Sequence, residues 1–180
     1  MLSEQKLYDQ WMQGNSDALD RIIKRHYNYI FAYIYRYCSD YHLAYDLTQE
    51  TFIKMVRHIH TLKNIEQLRH WLLKIALNTC RDHFKIRSNQ MIQKEVEYED
   101  AISEQLGQQK DSLAQMDDAM LIQQLLQMLP DYQRETIILR YYYDLKITDI
   151  AELTDTELST VKSRLKQGIE KLQKHQLHVR

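Results

Sequence analysis

Apolar positions recur at spacings of three and four along most of the chain, which is the period of an amphipathic helix. Residues 3 to 14 make a short helix with Leu7, Trp11 and Met12 on its apolar side. Gly14, Asn15, Ser16 and Asp17 form a turn that ends in an N-cap. Residues 18 to 38 follow as a long helix whose stripe holds Leu19, Ile22, Ile23, Tyr27, Ile30, Phe31, Ile34 and Tyr37. Ser39 and Asp40 break it. Residues 41 to 60 form the next helix, with Leu43, Ala44, Leu47, Thr51, Phe52, Met55, Val56 and Ile59 pointing inward. A short loop leads to a fourth helix over 67 to 87, with Leu68, Trp71, Leu72, Ile75, Ala76, Thr79 and Phe84 on its inner side.

From residue 88 to about 115 no apolar period is sustained, and that stretch reads as a linker, with nascent helix near 91 to 96. Periodicity resumes at Met116. Leu121, Ile122, Leu125, Leu126, Met128 and Leu129 make one helix. Pro130 opens the next at its first turn, where a missing N–H costs nothing. After a turn at residues 144 to 146 come two helices within residues 146 to 172. Ile147, Ile150, Ala151 and Leu153 belong to the first. In the second, Leu158, Val161, Leu165, Ile169 and Leu172 share one face. Ser159, Thr160, Lys162, Ser163, Lys166 and Gln167 fall on the flanks and the opposite face, and Arg164 sits beside the stripe with a side chain long enough to reach outward. One apolar and one Ser/Thr/Lys/Arg/Gln side suit a helix that docks on a partner helix and reads DNA.

Composition strengthens the helical reading. Three glycines and one proline in 180 residues leave few breakers. The expectation is an all-α fold of two small helical domains: residues 1–87, an acidic flexible linker at 88–115, and residues 116–180. The net charge of −1 hides segregation. Residues 95 to 118 carry eight acids and one base, and the remainder holds 23 Lys and Arg against 17 Asp and Glu. Two mildly basic modules joined by an acidic connector are compatible with nucleic-acid binding. Cys38 and Cys80 form no disulfide framework and fit buried thiols in a reducing cytoplasm. The first residues do not resemble a signal peptide, and no apolar run approaches the roughly 20 residues that span a bilayer.

Four blocks resemble the extracytoplasmic-function class of bacterial RNA polymerase sigma factors. The run from Tyr45 to Lys54 resembles the family's acidic-Gln-Glu-Phe helix. His70 to Asn78, with Asp82 beyond, resembles its Trp-Leu-x-x-Ile-Ala-x-Asn helix. Leu129-Pro130 through Arg140-Tyr141-Tyr142 resembles the helix that opens the second domain. Ile150-Ala151-Glu152 with Thr160 to Leu165 resembles its helix-turn-helix. The likeness covers residues 18 to 87 and 120 to 172, and its order is more specific than any one block.

The resemblance implies a role for each block. Asp46, Gln49, Glu50 and Lys54 would lie on the face that grips the clamp helices of the polymerase β′ subunit; an acidic and amide patch suits a basic helix hairpin. Residues 62 to 67, including Lys63 and Asn64, match the loop that captures a base flipped from the minus-ten element, a step costing a few kcal/mol. Asn78, Arg81 and Lys85 lie on the helix that supports melting and holds the strand. Ser159, Thr160, Lys162, Ser163, Arg164, Lys166 and Gln167 fall where the family reads the minus-thirty-five element. The implied partners are core RNA polymerase, through β′ and the β subunit, promoter DNA, and an anti-sigma factor, often membrane-anchored in this family. The protein itself is expected to be a cytoplasmic, non-catalytic initiation subunit, monomeric when free and not a membrane protein. Some positions depart from the family pattern. The turn between the paired helices has Asp155, flanked by Thr154 and Thr156, where glycine is usual. Ser159 replaces a common glycine, and Leu68 stands where an aromatic is frequent.

Other chemistries find little support. His58 and His60 project about 200° apart on a helix and cannot share a metal. Cys80 and His83 share a face without further ligands, so neither a metal nor a cofactor is expected. No phosphate loop, nucleophile elbow or acid–base constellation is present. The rival from another class is a stand-alone helix-turn-helix regulator with an N-terminal sensing or dimerisation domain. It accounts for the C-terminal half but not for the Asp46 to Phe52 or Trp71 to Asn78 blocks. A purely protein-binding helical adaptor, the third reading, would show no DNA dependence.

Overall fold

The computed structural model describes residues 2–62, 64–95 and 118–177. These form eight α-helices and no strand, in two compact units, Met1–Cys80 and Arg81–Arg180. The predicted linker lies outside the described residues from 96 to 117. Its first part does not: the fourth helix, α4 (Leu68–Glu95), runs on to residue 95. The apolar stripe fades beyond Phe84, so the sequence offers only the nascent helix near 91 to 96 as a sign of this continuation. Helix propensity suffices, because residues 85 to 95 contain no Gly or Pro.

In the first unit, α1 (Glu4–Met12) packs on α2 (Ser16–Cys38) through the buried Leu7. The long helix starts two residues before the predicted position, because Asn15 is its cap and accepts from the Asp17 N–H at 3.0 Å. Ser39 adopts the left-handed conformation (φ 59) and ends α2. The Asp40 carboxylate then caps α3 (Tyr41–His58) by accepting from the Leu43 N–H at 3.0 Å. This two-residue reversal pairs α2 with α3.

Tyrosines fill much of the core. Tyr33 and Tyr37 are fully buried beside Ile30 and Ile34, and the rings of Tyr27 and Phe52 stack 6.2 Å apart across the α2–α3 seam. Thr48 and Thr51 are buried without cost because their hydroxyls donate to Ala44 O and Leu47 O. The start of α4 is held by Arg69, whose guanidinium lies 3.9 Å from the centre of the Tyr29 ring. Two short 3-10 turns, Ile59–Thr61 and Ile65–Gln67, form the connection between α3 and α4. Val56, expected inward, is 40% exposed, and Cys38 is only half-buried. Cys80 is buried as expected.

The second unit contains α5 (Asp118–Gln127), α6 (Asp131–Tyr141), α7 (Ile147–Thr154) and α8 (Leu158–Leu177). Pro130 takes the cap position of α6 rather than its first helical residue, with ψ 148. The buried Arg134 closes the α5–α6 turn by donating to Leu126 O and Leu129 O at 2.9 Å and to Gln127 O at 3.2 Å. Arg140 does the same for the next turn, donating to Leu145 O at 2.9 Å. Then α6 packs against both α7 and α8. At Gly168 the helices come so close that a Cβ would meet the Ile137 side chain at 3.1 Å.

His26 is a polar group buried in the first unit, 5% exposed, with Nε2 2.6 Å from the Glu4 carboxylate on α1. Burial lowers its pKa from 6.5, and the Glu4 charge opposes that shift without cancelling it. A depressed histidine contributes stability that is complete above about 6.5 and lost as pH falls through the folded value. Urea titrations followed by circular dichroism should therefore show wild type losing stability on acidification from pH 7, with a shallower loss for His26→Gln. Parallel pH dependences for the two proteins would contradict this assignment.

Candidate functional site

Three surfaces collect the residues singled out in the sequence. The first is on α3. Asp46, Gln49 and Glu50 are all exposed, and their spacing places them within one arc of the helix. Ile53 lies in the same arc, 50% exposed, and Val56, 40% exposed, borders it. An apolar centre with a polar rim is the make-up of a protein-binding patch. Val56 escaped the sequence reading because its spacing fits the core stripe equally well. Lys54, half-buried, borders this patch on the side of α4. Its Nζ pairs with Glu50 at 2.8 Å and donates to Thr79 Oγ1 on α4 at 3.2 Å, so it ties α3 to α4.

The second surface involves the α3–α4 connection and the outer side of α4. Asn64 is exposed and caps the second 3-10 turn, accepting from the Glu66 N–H at 2.9 Å. Ile65, buried, anchors that turn, against which α1 also packs. Asn78 and Lys85 are exposed on α4, and Arg81 is half-buried. Lys63 lies outside the described residues.

The third surface is α8, presented by the turn at residues 154 to 156. Asp155 adopts φ 52, ψ 48, the conformation that glycine takes most readily. The Thr156 N–H donates to Ala151 O at 3.0 Å, closing the end of α7. The buried Thr154 hydroxyl bonds Ile150 O at 2.7 Å and meets the Thr156 hydroxyl. The two threonines thus satisfy the turn from within, and Asp155 remains exposed. Val161 and Leu165 are buried, whereas Leu158, expected on the same stripe, is 40% exposed. Ser159, Lys162, Ser163, Lys166 and Gln167 are exposed, and Thr160 is half-buried. Arg164 is turned toward α6: its Nη1 is 3.5 Å from Glu135 Oε1, and its guanidinium carbon lies 5.4 Å from the centre of the Tyr132 ring.

The second unit also has an apolar groove of about 390 Å³, lined by Ile122, Leu125, Ile137, Tyr141, Ile169 and Leu172 among others. Sequence periodicity assigns these residues to a core, and nothing in it distinguishes a filled seam from an open one. Among the described residues no group of His, Cys, Asp or Glu could hold a metal ion, and no helix is long and apolar enough to cross a membrane.

Residues 22–90 match Sigma-70 region 2, and residues 119–172 match Sigma-70, region 4. The chain belongs to the sigma-70 family. Curated relatives place it in the extracytoplasmic-function group. It is 28% identical over 178 residues to RNA polymerase sigma-H factor of Pseudomonas aeruginosa, covering 95% of this chain and 92% of that one. It is also 28% identical over 177 residues to the extracytoplasmic-function sigma factor SigW of Bacillus subtilis, covering 94% of each. Among solved structures, it resembles the sigma factor RpoE of Bartonella quintana, crystallised with the anti-sigma factor NepR. The TM-score is 0.68 at 21% identity, covering 86% of this chain and 94% of that one. CnrH, solved with the cytosolic domain of CnrY, gives a TM-score of 0.65 at 18% identity over 94% of each chain. These structural likenesses bear on the fold. The α3 patch and the α4 surface fall within the region 2 match, and α8 up to Leu172 falls within the region 4 match of this sigma factor.

The left-handed turn before α8 sets how this sigma factor presents its last helix. Asp155→Val places a β-branched side chain at a positive φ and should cost about 1–3 kcal/mol of stability in thermal melts. Asp155→Gly should leave the melting temperature unchanged or raise it. A Val variant as stable as wild type would show that this turn carries no conformational demand.

Proposed function

We propose that this sigma factor recruits core RNA polymerase to a limited promoter set, supports opening of the DNA and then dissociates. The observation that carries the reading is the pairing of two ordered family matches with two exposed faces of matching chemistry, Asp46-Gln49-Glu50 on α3 and the Ser/Thr/Lys/Gln side of α8. In this reading, residues 1–87 bind core polymerase and the minus-ten element, residues 88–115 connect, and residues 116–180 bind the minus-thirty-five element. The α3 patch docks on the β′ clamp helices, its carboxylates steering toward basic groups while Ile53 and Val56 supply apolar contact. The apolar groove of the second unit receives an apolar segment of the β subunit.

Asn64 and Lys63 at the α3–α4 connection, with Asn78, Arg81 and Lys85 on α4, hold the separated strand. Capping the 3-10 turn with Asn64 gives that connection a defined shape, which a flipped base requires. Lys54 supports the α3–α4 pairing beneath the patch. Ser159, Thr160, Lys162, Ser163, Lys166 and Gln167 contact the duplex, and Arg164 approaches it from beside Tyr132. Synthesis of RNA is left to the polymerase, so the factor itself is no catalyst. It acts in the cytoplasm, as a monomer when free. An anti-sigma factor controls it, as the pairing of the Bartonella relative with NepR suggests.

In vitro transcription with core polymerase and this protein on genomic DNA, with start sites read by sequencing, tests the whole reading. Defined starts that require both components are the expected result, and starts independent of the protein would refute it. Asp46→Arg should weaken capture of core polymerase in a pull-down while the helical circular dichroism spectrum is retained. Undiminished capture would remove the α3 patch from the interface. Lys162→Ala should weaken holoenzyme binding to duplex containing the minus-thirty-five element about equally across sequences and reduce the salt slope by about 1. An unchanged slope would remove Lys162 from the phosphate contacts.

A further inference from the structure

Gln133 is a fully buried polar side chain on α6 that no feature of the family reading uses. Its Nε2 donates to Gln167 Oε1 on α8 at 3.0 Å. Gln167 Nε2 in turn donates to Ser163 Oγ at 3.0 Å, one helical turn earlier. The chain of bonds therefore runs from the interior to the exposed face of the last helix and has a direction. Gly168 makes it possible: without a Cβ there, α8 approaches α6 closely enough for Gln133 and Gln167 to meet. The opposite direction would leave both N–H groups of the buried Gln133 amide without a partner. Orphaned buried donors are rarer than orphaned acceptors, and here the atom left over is the Gln133 Oε1.

We infer that Gln133 is a positioning residue that fixes the polarity of the base-reading face, holding the Gln167 amide with its oxygen inward and its N–H side outward. Gln167 Oε1 is turned inward by its bond from Gln133, so the group offered to a base edge is an Nε2–H. The Ser163 oxygen accepts from Gln167 and so holds that amide in place, one helical turn away. A free glutamine pairs with adenine by giving a proton to N7 and taking one from N6. A glutamine whose oxygen is held toward the interior loses that second bond. Gln167 is matched instead to guanine, whose O6 and N7 are both acceptors, or to thymine through O4, and mismatched to the amino groups of adenine and cytosine. The inference rests on the reading of α8 as the minus-thirty-five helix.

The test is selection of promoters from a library randomised across the minus-thirty-five element, using core polymerase with the full chain. Gln167→Ala locates the position read, as the one whose base preference flattens. Wild type should favour G or T over A and C there, on the order of tenfold for the loss of one base-edge pairing. Gln133→Met removes the internal donor in a side chain of similar size, frees Gln167 to turn, and should level the preference at that position alone. A purely structural role for Gln133 would weaken all sequences together. Gln167→Glu acts on an exposed residue and does not depend on the buried site tolerating change. One carboxylate oxygen takes the Gln133 bond, the other faces the base, and the preference should invert toward C.

A G or T preference that survives both Gln133→Met and Gln167→Glu would overturn the inference, as would a wild-type preference for A or C at the position that Gln167 reads. If Gln167→Ala flattens no position, Gln167 does not read a base and the inference also fails. If wild type selects no minus-thirty-five sequence at all, the failure lies with the promoter-reading assignment of α8 itself.

Discussion

The end of α5 and the turn after it present carbonyl groups that the helix cannot satisfy, and Arg134 answers three of them at once. The guanidinium offers five donors in a rigid fork, so one buried side chain can close a whole turn. Much of the second unit follows from that closure. It sets α6 against the end of α5, and α6 is the helix on which both α7 and α8 pack. If the angle at Leu129-Pro130 were loose, the helix pair proposed to face DNA would inherit the error. Asp131 assists by lying 3.2 Å from the same guanidinium on the exposed side. Being partly exposed, it adds less than the carbonyl bonds do.

Four consecutive α6 residues, Gln133, Arg134, Glu135 and Thr136, are polar and buried. Such groups are costly unless paired, and paired ones discriminate between near-alike packings because any shift leaves them unsatisfied. Arg134 grips the preceding turn, Glu135 stands by Arg164, Gln133 holds Gln167, and Thr136 bonds its own helix at Tyr132 O. The face of α8 proposed to read DNA is thus positioned from behind by side chains that never leave the interior. The Arg164 guanidinium is the clearest consequence. Spacing alone gives it a reach outward, but a ring and a carboxylate on α6 draw it back along the helix flank.

Helices were legible wherever the apolar period of 3.6 was sustained, and the pairing of α2 with α3 was foreshadowed by Ser39 and Asp40. Legibility failed where one residue type serves two purposes. Tyr33 and His26 are buried members of α2 that the apolar stripe did not include, because an OH or an imidazole on a helix does not say whether a partner waits inside. Val56 and Leu158 fail in the other direction: both keep the period of the core yet stand exposed. Val56 lies on a face proposed to meet a partner, where apolar character is useful without being internal, and Leu158 stands at the first residue of α8. The polar run on α6 could not be interpreted from its own helix, since apart from Tyr132 O for Thr136 and Asp131 for Arg134 the partners named here lie on other segments.

The turn at Thr154-Asp155-Thr156 shows how a departure from a family pattern can be absorbed locally. Glycine removes the steric penalty of the left-handed conformation but contributes no hydrogen bond. Aspartate accepts a modest penalty, being among the residues that visit this region more readily than most. The threonines on either side then supply what glycine lacks. Thr154 is buried and bonded back to Ile150 O, its hydroxyl meets that of Thr156, and the Thr156 N–H closes on Ala151 O. The three residues act as a unit, so replacing Asp155 by glycine relieves strain without supplying the bonds, whereas losing Thr154 would leave a buried bond unmade. What fixes the entry of α8 is therefore the threonine pair as much as the backbone angle. A chain with glycine at this turn and apolar flanks would reach the same geometry with a looser hold on it.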